Sequence, residues 1–204
     1  REGRTFEYST SASRWLSTLI NEAGEDEQVR LCPEASAPTG RPWGTADKAW
    51  TWFSSPPEYG SYGFNGFFYN PGGPHKGGSF YCGRTPYPDG FYASLEEADS
   101  RSPVFGDCNF LGGWPTERDR PPRDLTLGSP QGQECGAYMG RYCLDRHDLA
   151  INMAFADAHV EQVGLEWLWD LQWSKVFERQ GEHTGRPRAL RRDEVRQDHR
   201  DPER

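Results

Sequence analysis

Aliphatic residues are scarce: two Ile and two Met occur in 204 residues, and Leu, Ile, Val and Phe together number 32. That is the range in which chains begin to fail to bury enough surface to fold. No run of about 18 apolar residues occurs, which excludes a membrane-spanning helix and a retained signal peptide within this stretch. The body of the chain has no basic stripe, so the counterion release that drives nucleic-acid binding has no source. The cysteines form no paired C-x-x-C clusters, which argues against a zinc ribbon. Gly-x-Ser-x-Gly, His-Glu-x-x-His and the Asp-x-Asp-x-Asp run of an EF-hand are all missing. No repeat of about 20–50 residues supports a solenoid or propeller.

Aromatic residues are plentiful, with eight Trp, nine Tyr and eleven Phe. Such rings bury large areas with few rotors, so an aromatic interior can close a core that the aliphatics cannot. The net charge is −8, yet residues 178–204 carry eight Arg against seven Asp or Glu, so the acidity belongs to the preceding body. One globular unit over 11–177 is expected, after a lead-in at 1–10. The segment 178–204 has almost nothing apolar to offset the entropy of ordering, and is expected to be a disordered charged tail. Cys32, Cys82, Cys108, Cys135 and Cys143 read as two disulfides and a spare thiol in an oxidising compartment, with pairings that spacing does not fix. Five reduced, buried thiols are the alternative.

Residues 11–22 place Trp15, Leu16, Leu19 and Ile20 at helical spacing, with Gly24 as a stop. The stretch 29–33 reads as a brief strand ended by Pro33. From 43 to 92 the chain is aromatic and rich in Gly and Pro, which suits short strands and turns. Alternation is strongest at Tyr62, Phe64, Phe67 and Phe68, Leu95 to Ala98 suits one helical turn, and residues 102–110 look like a strand entering a turn. A polar loop follows over 112–137. Leu149, Ile151, Met153 and Phe155 alternate, Asp157 and Ala158 turn the chain, and Val160 and Val163 return, which predicts a β-hairpin. Leu168, Trp169 and Trp173 then belong to a short buried helix within 165–177.

These residues carry a family resemblance. His147 is followed by nine residues and Asp157, and the ending LEWLWDLQWSKVF follows. LCP at 31–33, WGTADKAW at 43–50, GSYGFNG at 60–66 and PVFGDC at 103–108 precede them in order. Over residues 12–177 the chain resembles the prepilin-type (pseudopilin) proteins of planctomycete type, which end in a His-x9-Asp-Gly signature. It departs from them at Ala158, where the signature has Gly, and in lacking the prepilin N-terminus. The resemblance implies an α+β, pilin-like headpiece: an antiparallel sheet against a helix, a C-terminal hairpin and long decorated loops. It also implies a structural subunit of a type II secretion or type IV pilus-like filament, without catalysis. The precursor would be anchored in the inner membrane by an N-terminal helix absent from this chain, which would also join it to other pilin-like subunits. The head would lie in the periplasm or on the cell surface. The rival class is a secreted carbohydrate-binding or adhesion module displaying rings of the Trp43 to Tyr92 stretch, with surface glycan or protein as ligand. A metal-dependent hydrolase ranks below it.

His147, Asp157 and His159 form the most prominent polar group in the hairpin. An extended run of nine residues separates His147 from Asp157 by about 30 Å, so a metal site between them would need the strand to bend. Asp157 is expected to bond turn amides and His147 to sit hydrogen-bonded at a strand end. No spacing forces Asp107, Asp145 or Asp157 into a carboxylate pair. Cys143 and His147, four apart on a strand, would stand about 13 Å apart. No cofactor is expected. Calcium is the ion that loop carboxylates and carbonyls suit, with no residues assigned.

Overall fold

The computed structural model describes residues 14–24, 26–53, 57–69, 88–128 and 138–179. The expected lead-in 1–10, most of the tail 178–204, Cys82 and Cys135 lie outside the described residues. The fold is α+β, with mostly antiparallel sheets and few helices.

The single α-helix among the described residues, α1, runs Arg14–Glu22 and buries Trp15 and Leu16, with Leu19 and Ile20 partly covered. Gly24 follows at φ +73, the left-handed conformation that ends helices at little cost to glycine. The stretch read as a strand at 29–33 is instead two 3₁₀ turns, Glu27–Arg30 and Pro33–Ala35, separated by extended Leu31 and Cys32. Asp26 starts the first by accepting the Gln28 amide at 2.9 Å, and Pro33 sets the start of the second.

Strands β1 (Trp50–Trp52) and β2 (Glu58–Gly60) form a two-stranded antiparallel ribbon. The main sheet contains β3 (Tyr62–Asn65), β4 (Pro103–Asp107), β5 (Gly112–Gly113), β6 (Ala150–Phe155) and β7 (Val160–Gly164), in the order β5-β3-β4-β6-β7. The sheet is antiparallel as expected, save for the edge pair β3–β5, which is parallel. Phe67 and Phe68 leave the strand for a 3₁₀ turn at Gly66–Phe68, because Asn65 accepts the Phe67 amide and caps that turn. The single turn at Leu95–Glu97 and the hairpin β6–β7 form as the sequence predicts.

Alternation along the strands gives the sheet two covered faces. On one face Phe64 and Phe105 are cross-strand partners, and Trp15 of α1 lies over both, with ring centroids 6.4 and 5.3 Å away. On the other, Ile151, Met153 and Val163 join Met139, Tyr142, Leu168, Trp169 and Trp173. The C-terminal helix expected within 165–177 is a 3₁₀ segment, Leu165–Asp170. Its Trp169 indole donates to the Asp119 carbonyl at 2.9 Å and Trp173 donates to the Leu168 carbonyl at 2.7 Å, which lets both rings be buried without an orphaned donor. The polar loop expected over 112–137 opens with β5 and then buries Trp114, Thr116 and Asp119, the last two hydrogen-bonded to each other. No helix among the described residues is long and apolar enough to cross a membrane.

Candidate functional site: a buried Cys–Asp–His cluster

Asp107 ends β4 and Tyr62 opposes it on β3, while Asn152 lies on β6, so alternation puts all three on the face that also carries α1. Cys32 reaches this face through Ser61, whose amide bonds the Arg30 carbonyl at 2.9 Å and whose hydroxyl donates to the Ala35 carbonyl at 2.5 Å. The extended pair Leu31–Cys32 between the two 3₁₀ turns is thereby stitched over the start of β3.

His147 arrives by a tight bend. Asp148 and Leu149 take φ +56 and +60, and the His147 amide bonds the Ala150 carbonyl at 3.1 Å. Asp145 fixes the bend by accepting the Leu149 amide at 2.6 Å. Strand β6 therefore begins at Ala150, and His147 turns toward Asp107 rather than continuing the strand. His147 is hydrogen-bonded as expected, but it lies before the bend and not at a strand end, so that part of the expectation is corrected.

His147 Nε2 lies 3.1 Å from Asp107 Oδ2, 3.3 Å from Cys32 Sγ and 3.0 Å from the side-chain Nδ2 of Asn152. The other side of the carboxylate is equally engaged. Arg146 Nη1 donates to Asp107 Oδ1 at 2.9 Å, and the Asn152 backbone amide donates to Oδ2 at 2.8 Å. The guanidinium also donates to the carbonyls of Thr45, Ala46 and Ser61 at 2.9, 2.9 and 2.6 Å. A charge pair taken out of water is sustained by such additional hydrogen bonds, and here every side of the guanidinium meets an acceptor. Burial, with the Asp107 charge second, pushes the Cys32 thiol up to about 11, and the same two causes push the Tyr62 hydroxyl up to about 12.

This is not the order of a nucleophilic relay. A relay needs one imidazole nitrogen on the acid and the other on the nucleophile, whereas here one nitrogen, Nε2, faces both Asp107 and Cys32. A thiol held protonated near neutrality is a poor nucleophile as well.

The other sequence candidates lie elsewhere. Asp157 and His159 sit in the turn at the opposite end of β6: Asp157 Oδ1 accepts the His159 amide at 3.2 Å and meets its ring Nδ1 at 2.5 Å. The His159 bonds hold the exposed Asp157 carboxyl below its ordinary range. Asp157 thus performs the turn role expected of it, and His147 does not share a site with it. Ala158 adopts φ +69, the conformation glycine would supply at that position. Phe155 is buried beneath a stacked His159 ring, whereas Val160 is exposed. Cys32, Cys108 and Cys143 are free, buried thiols, which corrects the expectation of two disulfides: only Cys82 and Cys135 remain, and both lie outside the described residues. The described rings of the 43–92 stretch mostly turn inward: Trp50, Phe64, Phe67, Phe68 and Tyr92 are buried, and Phe53 is exposed.

Sequence reasoning named Cys32, Asp107 and His147 separately but did not bring them together, and it missed Arg146 and Asn152. The signal available was that LCP, PVFGDC and the His-x9-Asp run each contribute one member. Compared with protein-family models, curated proteins and solved structures, the chain matches none.

Proposed function

We propose that this chain is the extracytoplasmic head of a pilin-like filament subunit, a structural part rather than a catalyst. The observation that carries the reading is the meeting of Cys32, Asp107 and His147, one from each of three sequence pieces on which the resemblance rests, in a buried arrangement pinned by Arg146. Pieces dispersed over the sequence act here as one clasp between the N-terminal segment, β4 and the hairpin. Helix α1 lying on the sheet through Trp15 also suits a pilin-like head, in which a helix is backed by a sheet. The filament would be of type II secretion or type IV pilus-like kind, with the precursor in the inner membrane and the head in the periplasm or on the surface.

A carbohydrate-binding module draws less support, because the rings that would stack on sugars are largely consumed by the core.

The test is the reading frame upstream of Arg1 together with the native assembly. A subunit requires an apolar stretch of about 20 residues with a Glu near its start, and antibodies to the head should decorate filaments sheared from the cell. A cleavable secretory signal with no retained helix, and head found only as free protein, would overturn the reading.

A further inference from the structure

Among the described residues, one group of three metal-capable side chains gathers its ligand atoms: Cys32 Sγ, Asp107 and His147 offer donors within 4.8 Å of one another. We propose that this cluster binds a divalent ion of the zinc type, as a structural clasp with Cys32, Asp107 and His147 as its three protein ligands. The inference is independent of any filament role, since it rests on the geometry of these side chains alone.

Convergence is the first argument. A ring nitrogen has either one proton or one lone pair to offer, yet His147 Nε2 is approached by Cys32 Sγ, Asp107 Oδ2 and the Asn152 amide at 3.0 to 3.3 Å. One hydrogen bond serves one of these neighbours. An ion placed between Cys32, Asp107 and His147 would serve the sulfur, the carboxylate oxygen and the imidazole nitrogen together. Ligands at about 2.0–2.3 Å from a tetrahedral ion stand roughly 3.3–3.8 Å apart, and the separations of His147 Nε2 from Asp107 Oδ2 and Cys32 Sγ, 3.1 and 3.3 Å, need to widen by only a few tenths of an ångström.

Donor chemistry is the second. Thiolate, imidazole and carboxylate form a set suited to Zn²⁺ or Co²⁺, while Ca²⁺ takes oxygen donors, so calcium does not fit this cluster. On binding, the Cys32 sulfur would give its proton to water. Thiolate and carboxylate would then balance the ion, and Arg146 would keep its three carbonyl partners as well as Asp107 Oδ1.

The supporting shell is the third. Metal-binding carboxylates are held by hydrogen bonds of their own. Asp107 is oriented by Arg146 on one oxygen and by the Asn152 backbone N–H on the other. The His147 side chain retains 15% exposure, so it is the one member of the three that reaches solvent.

The experiment is titration of the metal-free, reduced chain with Co²⁺, read by absorbance. One equivalent should produce the intense thiolate-to-cobalt band in the near ultraviolet and the strong visible bands of a tetrahedral ion. Cys32→Ser should abolish the ultraviolet band, and His147→Asn should abolish stoichiometric binding. His159→Asn, at the distant turn, should leave the titration unchanged. Should the variants unfold, the unmodified chain still decides: Zn²⁺ should slow alkylation of Cys32, mapped by peptide mass, while leaving Cys143 unaffected. No band in the unmodified chain, a band that survives Cys32→Ser, or equal alkylation with and without Zn²⁺ would each overturn the proposal.

Discussion

Arg146 and Asp107 form a 2.9 Å ion pair in which neither side chain reaches solvent. They come from different regions, the bend before β6 and the end of β4, so their bond ties the hairpin to the middle of the sheet. Removing one partner from a buried pair leaves the other charge uncompensated, which typically costs about 3–5 kcal/mol. Arg146→Met should therefore lower stability by about that amount, seen as a lower midpoint in urea followed by Trp fluorescence. Adding Asp107→Asn should restore on the order of 1 kcal/mol by removing the stranded charge. Strict additivity of the two substitutions would mean that the pair does not couple.

The turn of the hairpin holds a residue in the wrong conformation for its type. The Ala158 amide bonds the Phe155 carbonyl at 3.0 Å and the Phe155 amide bonds the His159 carbonyl at 3.0 Å, a three-residue loop whose last position is left-handed. Left-handed backbone costs a residue with a Cβ about 1–2 kcal/mol, part of which glycine forfeits through the entropy of its unfolded chain. Ala158→Gly should raise stability by about 0.5–1 kcal/mol, and Ala158→Val should lower it. The check is a pair of urea melts with unchanged slope; a destabilised glycine variant would show that the turn is not strained at this position.

That hairpin was the most legible part of the sequence, because period-two alternation over Leu149 to Phe155 and a short turn leave little freedom in register. Helix α1 was legible for a similar reason, its apolar residues falling on one stripe before Gly24. The 29–33 segment was not, since its apolar residues are few and the 3₁₀ turns there are set by Asp26, Pro33 and contacts with Ser61, which local propensity does not report. The cluster was legible only in pieces. Extrapolating β6 back to His147 made that residue a distant strand end, whereas the left-handed pair Asp148 and Leu149 breaks the strand and redirects the ring. No pattern of apolar spacing signals two successive left-handed residues without glycine. Cys32, Asp107 and His147 meet through β-sheet register and a stitched loop, so a search for closely spaced ligands such as C-x-x-C could not find them.

Cys32 should be slow to alkylate in the folded, metal-free chain. Burial, then the Asp107 charge, raise its thiol from an ordinary 9.0 to about 11. With chelator present, the rate of iodoacetamide labelling at Cys32 should climb with pH toward a midpoint at about 11 rather than 9. The same difference acts on stability. The folded thiol keeps its proton where the unfolded one has lost it, so the contribution of Cys32 is whole below about pH 9 and is lost as pH rises through about 11. A labelling midpoint at the ordinary value would show that the sulfur is open to water.

Trp15 tests whether α1 is held by the sheet or merely rests near it. A helix of nine residues is too short to persist alone in water, so its stability must come from the face it buries. Trp15 is almost wholly buried and spans Phe64 on β3 and Phe105 on β4, so one side chain supplies contact to both central strands. Trp15→Ala should cost about 3–5 kcal/mol, in line with other buried aromatic deletions. Amide exchange discriminates between local and global loss. With α1 docked through Trp15, protection should fall over residues 14–24 by orders of magnitude more than over β6, whose Ile151 and Met153 pack on the opposite face. Equal loss in both places would mean that helix and sheet open as a single unit, and unchanged protection in α1 would mean that another contact holds it.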